Sequence, residues 1–270
     1  MRKILAAIIV SVVLLFNMTA VFAVSPSVGS VFEDAQLESG LIKVSYQSDN
    51  NKKLKVMVEK DGQKIHYNLR NDGTAESYPL QFGNGDHKIS LMENTEGNKY
   101  KYLLTQNVKL EMEDQKEVYL TSIQNINWNQ DMAAIKKAKE LTKGINDDQK
   151  KVKVIYEYIV NNLKYDYEKI KNLPSDYLPD IDATLASNKG ICYDYASTFA
   201  AMLRSVEIPT KLVKGYAKGI NGYHAWNEFY NSEKGVWEIY DTTYDAQMKA
   251  LKGKYSIIKE SSVYTKVNEY

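Results

Sequence analysis

Three side chains that together can carry out covalent acyl transfer occur in order along the second half of the chain. They are Cys192 in Gly190-Ile191-Cys192-Tyr193-Asp194-Tyr195-Ala196, His224 in His224-Ala225-Trp226-Asn227, and Asp241 at the end of Val236-Trp237-Glu238-Ile239-Tyr240-Asp241. A thiolate attacks a carbonyl carbon, an imidazole takes and returns the proton, and a carboxylate fixes the imidazole tautomer. Cys192 is the only cysteine, so no disulfide within the chain accounts for it. Each residue alone also has a plain structural reading: a lone Cys as a small buried hydrophobe, a strand-end His or Asp as turn chemistry.

The elements around them decide between these readings. Gly190 breaks the chain just before Cys192, and residues 193–204 read as a helix that ends before Ile208-Pro209. A cysteine at a helix start lies beside unpaired N–H groups and the positive end of the helix dipole. Both favour the thiolate, and a nearby imidazolium favours it further. His224 opens a strand over residues 224–230 and Asp241 ends one over residues 236–241, so a turn between them brings both into one cleft. Residues 210–216 supply a further strand. Upstream, Asp131 is the expected cap of a helix running to Lys143 with Gly144 as its stop, and Asn146-Asp147-Asp148-Gln149 resembles a capping box. The helix that follows repeats Val152, Ile155, Tyr156, Ile159 and Leu163 at three- and four-residue steps, the mark of a buried face. A polar loop with Pro174 and Pro179 precedes a short helix over residues 183–187.

These blocks resemble the transglutaminase-like superfamily of papain-fold thiol enzymes. The resemblance rests on Ala183-Thr184-Leu185, Gly190 to Ala196, Leu203-Arg204-Ser205-Val206-Glu207-Ile208-Pro209-Thr210, Gly215-Tyr216, His224 to Asn227 and Trp237 to Asp245, all in order. It spans about Asp147 to Ala246, and its motifs are specific jointly rather than singly. It implies Cys192 as nucleophile, His224 as general base and acid, and Asp241 as the residue that orients His224. The implied reaction is attack on an amide carbonyl, with the thioester resolved by an amine or by water. The backbone N–H of Cys192 is expected to help hold the oxyanion. An upstream aromatic donor is a family feature, for which Tyr177 is the candidate beside a loop-packing role. Trp226 shares a strand face with His224 and is read either as a cleft wall or as core. No cofactor or metal is expected: no Asp-rich loop has calcium-ligand spacing.

The rest of the chain sets the context. Met1-Arg2-Lys3, the apolar run 4–16 and Val21-Phe22-Ala23 read as a secretory signal peptide over residues 1–23, since the run is shorter than a bilayer span needs. Its removal takes two cations and no acid from a formal charge of +1. The near-neutral remainder has Lys interleaved with Asp and Glu, which argues against nucleic acid as a partner. Residues 24–125 alternate apolar and polar over short runs separated by Asp61-Gly62, Asp72-Gly73 and Asn84-Gly85, the pattern of an antiparallel β-sandwich of an immunoglobulin-like kind. His66 and His87 fall in these strands and are read as solvent-facing. Tyrosine is frequent, 21 residues against six Phe, and most of it is read as strand packing.

The expected architecture is therefore α+β: a β-sandwich over residues 24–125, then a papain-like transglutaminase-fold domain over residues 126–270, with the junction between Leu120 and Asp131. The expected function is an exported thiol acyl-transfer enzyme, transglutaminase or cysteine peptidase. Its expected partner is a protein or peptide substrate, attacked at Gln side chains, with Lys as acceptor, or at peptide bonds. Membrane contact is expected only through the transient signal peptide. A secreted or cell-surface location, with a cell-wall or surface protein partner, is the corresponding expectation. A non-catalytic surface binding or scaffold protein on the same fold is the alternative.

Overall fold

The computed structural model describes residues 28–270. The export signal read at residues 1–23 lies outside the described residues. A short helix, α1 (Val28–Val31), leads into seven strands: β1 (Phe32–Glu33), β2 (Leu41–Val44), β3 (Leu54–Lys60), β4 (Gln63–Leu69), β5 (Glu76–Pro79), β6 (Gly85–Glu96) and β7 (Lys99–Leu110). They form two antiparallel sheets, ordered β1-β2-β5 and β4-β3-β6-β7. Period-two alternation builds them: on β4, Ile65, Tyr67 and Leu69 are buried while Gln63, Lys64 and His66 are exposed.

The constant-type immunoglobulin arrangement pairs the fourth strand with the fifth, in the sheet of the first two. Here β4 pairs with β3 instead. The cause is local: Asp61 and Gly62 both take positive φ, at 50° and 81°, and this two-residue turn folds β4 straight back along β3. That difference concerns the constant type alone and leaves the wider immunoglobulin-like expectation open. The sequence reading of His87 needs correction. His87 is buried, with Nδ1 3.1 Å from the Gly85 carbonyl oxygen, and burial holds its pKa below the ordinary histidine range. His66 is exposed, as read.

After a 3-10 turn (Gln115–Leu120), the remainder mixes helices α2 (Ala133–Thr142), α3 (Asp148–Asn162), α4 (Ile181–Ser187), α5 (Cys192–Arg204) and α6 (Thr242–Ala250) with strands β8 (Lys164–Tyr165), β9 (Lys189–Gly190), β10 (Thr210–Ala217), β11 (His224–Asn231), β12 (Val236–Tyr240), β13 (Ile258–Lys259) and β14 (Tyr264–Glu269). The last five strands make an antiparallel sheet in the order β13-β12-β11-β10-β14, and β8 pairs with β9 in parallel. Helix α5 packs on β10 and β11, with α2, α3, α4 and α6 around it. It is buried nearly all round: Ala196, Ala200 and Ala201 permit close approach while Tyr195, Phe199 and Leu203 fill the core.

Capping differs in part from the sequence reading. Asp147 caps α3 as the motif indicates, accepting from Lys150 N at 2.8 Å. Asp131 does not cap α2. The carboxylate of Asp182, at the start of α4, accepts from Ala133 N and Ala134 N at 3.0 Å each, so the helix end is satisfied by a residue remote in sequence. Helix α6 and strands β13 and β14 carry no clear periodic signal in the sequence.

The two sheets of the N-terminal half and the α/β half contribute to one buried apolar cluster. A buried arginine pins the junction. Arg204, at the end of α5, donates to the carbonyl oxygens of Thr121 (2.7 Å), Thr210 (2.9 Å) and Tyr270 (2.9 Å), and burial pushes its pKa down to about 9. Tyr67 of β4 meets Tyr270 edge-on at 5.9 Å. Among the described residues no helix is long and apolar enough to cross a membrane.

Candidate active site

Cys192 is the first residue of α5, partly exposed, where backbone N–H groups have no acceptor within the helix. The preceding residue, Ile191, has no side-chain oxygen with which to cap. Asp194 substitutes: its Oδ2 accepts from Ile191 N at 2.8 Å. This fold-back requires glycine at 190, because a Cβ there would lie 2.7 Å from the Asp194 Cβ. Asp194 is fully buried, and its charge is offset by Lys169 Nζ at 2.7 Å and by the Tyr177 hydroxyl, which donates to Oδ1. The Tyr177 hydroxyl is thus engaged with Asp194, and its ring stands edge-on to Tyr193 at 6.2 Å.

Strand β8 sits beside this turn, with Asp166 N donating to the Gly190 carbonyl at 2.9 Å. The pairing carries Tyr165 to Cys192. Burial first, and then the charge of Cys192, pushes the Tyr165 pKa up to about 12.

His224 opens β11, opposite Gly215 of β10, and is only 5% exposed. The β11–β12 pairing sets Asn227 against Tyr240, so Asp241 leaves β12 alongside the start of β11. His224 Nε2 lies 2.7 Å from Asp241 Oδ2. That leaves Nδ1 unengaged by Asp241, and Cys192 lies close enough to act on the charge of the ring. Burial alone would lower the His224 pKa. The Asp241 carboxylate and Cys192 outweigh it and push the value up to about 10. The imidazolium is therefore favoured through neutral pH.

Asp241 is itself held at three points. Its Oδ1 accepts from Tyr244 N at 2.9 Å as the N-cap of α6, and its Oδ2 accepts from the Tyr264 hydroxyl at 2.9 Å as well as meeting His224. Trp226 is buried, stacked behind His224 with ring centroids 6.3 Å apart and packed on Tyr264 at 5.0 Å. It backs the histidine rather than facing solvent. Asn227, on the other strand face, donates to the Ala196 and Lys211 carbonyls and ties β11 to α5.

Residues 135–242 match the sequence profile of the transglutaminase-like superfamily. These residues form a transglutaminase-like domain. Two curated relatives match it in part: UPF0252 protein MJ1282 of Methanocaldococcus jannaschii, 31% identical over 103 residues (34% of this chain, 29% of the relative), and the uncharacterized protein YebA of Bacillus subtilis, 30% identical over 111 residues (34% of this chain, 15% of the relative). The chain thus spans less than a third of either relative. Among solved structures, a Cytophaga hutchinsonii protein described as a candidate cysteine protease is similar at a TM-score of 0.43 and 18% identity, covering 85% of this chain and 86% of that one. Legionella pneumophila LapG is similar at 0.35 and 18% identity, covering 52% and 84%.

Three residues of this site escape sequence reading. Tyr264 reaches Asp241 from β14, and Tyr165 of β8 and Lys214 of β10 lie in the field of Cys192. Among the described residues, no group of three or more His, Cys, Asp and Glu side chains could hold a metal ion.

Proposed function

We propose that the protein is an exported thiol enzyme acting on protein or peptide amides, with Cys192 as nucleophile, His224 as general base and acid, and Asp241 as the group that orients His224. The observation that carries this reading is the His224 Nε2 to Asp241 Oδ2 contact of 2.7 Å, on a ring whose charge is also coupled to Cys192 at the start of α5. In the proposed cycle the thiolate attacks the amide carbonyl, and the oxyanion is met by the free N–H groups of the first turn of α5. The imidazolium gives its proton to the leaving nitrogen as the C–N bond breaks. An amine or water then attacks the thioester, His224 takes the proton, and the thiolate is released. Export rests on the pattern of residues 1–23.

The test is incubation of the mature chain with a Gln donor peptide and hydroxylamine, beside Cys192→Ala. Hydroxamate formation supports the transferase form, and a cut peptide without hydroxamate supports the peptidase. If neither appears and iodoacetamide alkylates Cys192 no faster than a free thiol, the protein is a non-catalytic binding module on this fold.

A further inference from the structure

Two ammonium groups, that of Lys214, which feels the charge of Cys192, and that of Lys55, which shares a cavity wall with Lys214, lack the partner that a half-buried cation ordinarily has. Lys214 Nζ sits 3.3 Å from the centroid of the Tyr193 ring and 5.2 Å from that of Tyr270. Lys55 Nζ reaches Asn68 Oδ1 at 3.3 Å and lies over the Tyr100 ring. Among the described residues neither meets a carboxylate within ion-pair distance. Two neighbouring lysines differ: Lys52 pairs with Glu93, and Lys53 with Asp176 at 3.8 Å.

Lys55 and Lys214 line one cavity of about 180 Å³, at the seam where β3 and β4 meet the loop before α4 and the start of α5. His66 and Asn125 line it too. Asn125 is 6% exposed, and its Oδ1 has no hydrogen-bond partner while its Nδ2 donates to the Tyr193 hydroxyl. The carboxylate on the wall, Asp176, is the one engaged with Lys53. Burial lowers the pKa of both lysines, that of Lys214 to about 8, the signature of ammonium groups short of a counter-charge. Lys55, Asn68 and Gln124 also line a larger cleft of about 1180 Å³ along the edge of the β region, so an extended chain has room to continue.

We infer that this cavity is an anion subsite beside Cys192, in which Lys214 and Lys55 take a carboxylate of a polypeptide substrate and Asn125 Oδ1 accepts one of its backbone N–H groups. The inference rests on the reading of Cys192 as the acyl-transfer nucleophile. It gives the β region a part in substrate choice: peptides with an acidic residue near the target amide bind better than their amide counterparts.

The probe is a pair of thiol reagents that differ in charge, iodoacetate and iodoacetamide, applied to the full mature chain. The ratio of their rates at Cys192 is compared with the ratio for a neutral model thiol, N-acetylcysteine amide. The expected ratio in the wild type favours iodoacetate by about tenfold over the model thiol, as a unit charge pair at short range in an intermediate dielectric allows. Lys214→Met brings the ratio down to that of the model thiol, Lys55→Met lowers it less, and Lys214→Arg retains it. Should Lys214→Met not fold, the wild-type preference for iodoacetate must still fall with rising salt. Fast iodoacetamide reaction with no iodoacetate preference overturns the subsite and leaves the nucleophile standing. Slow reaction with both reagents overturns the nucleophile itself.

Discussion

Tyr264 donates its hydroxyl to Asp241 Oδ2 at 2.9 Å, on the same oxygen that His224 Nε2 meets at 2.7 Å. The carboxylate therefore cannot rotate without losing a bond to its cap, its tyrosine or its histidine. Tyr264→Phe keeps the ring on Trp226 and removes one charge-assisted hydrogen bond, worth about 1.5–3 kcal/mol. The expected result is a fall in kcat of roughly tenfold or more with little change in KM. A KM effect with unchanged kcat would assign Tyr264 to substrate binding instead.

Asp241 serves two structures at once, the imidazole and the start of α6, and two substitutions separate them. Asparagine can still accept from Tyr244 N, so Asp241→Asn keeps the cap and loses the charge. By analogy with other triads, activity falls by about 10⁴. Asp241→Ala loses the cap too, and urea denaturation should find it less stable than Asp241→Asn by roughly 1 kcal/mol. Equal stability of the two variants would count against the capping role.

Gly215 makes the approach of Tyr264 possible. A Cβ at this position would fall 2.0 Å from the Thr265 carbonyl oxygen and 2.9 Å from the Trp226 ring, backbone on one side and a buried aromatic on the other. Gly215→Ala must push β14 off β10, with an expected loss of about 1–3 kcal/mol. Activity should fall as in Tyr264→Phe, because the donor to Asp241 moves with β14. A variant of wild-type stability and activity would show that the sheet edge yields freely.

The meeting of His224 with Asp241 and the place of Cys192 at a helix start were legible in the sequence because each residue sits at an element end with local signals: a glycine before a helix, and two strands flanking a turn. Periodicity likewise marked α3 and the strands of the N-terminal half. What was hidden depends on contacts between remote segments. Asp182 caps α2 from 49 residues away, and β14 closes on β10 although its sequence, Tyr264 to Glu269, is mixed and mostly polar. His87 looked exposed because an alternating strand places histidine on either face equally well. The side of the sheet is decided by packing, not by the residue. Lys214 and Lys55 read as ordinary strand lysines, since nothing local reveals that the seam deprives them of carboxylates.

Tyr177 tests the origin of the oxyanion donors. Its hydroxyl is bound to Asp194, so Tyr177→Phe should weaken the turn that presents Cys192, lowering stability by about 1.5–3 kcal/mol, the range for a hydrogen bond to a charged group. The expected change in kcat is under tenfold. A loss of 10²–10³ in kcat with unchanged stability would instead mark Tyr177 as an oxyanion donor that swings to the substrate.

The pH dependence follows from His224. Its pKa in the fold, about 10, lies above the ordinary value of 6.5, so the folded state holds the proton more tightly than the unfolded chain. The resulting stabilisation is fully present below about pH 6.5 and is lost as pH rises through about 10. Lys214 runs the other way: its lowered pKa disfavours the fold while the amine is charged, and that penalty is relieved above about pH 8. Comparing wild type with His224→Gln at each pH removes the Lys214 effect from the difference. The penalty of His224→Gln, from urea midpoints, should be greatest near pH 6 and smaller by on the order of 1 kcal/mol or more near pH 10.5. A penalty that stays flat over that range would mean a neutral ring in the folded protein, and with it no imidazolium to protonate the leaving amine.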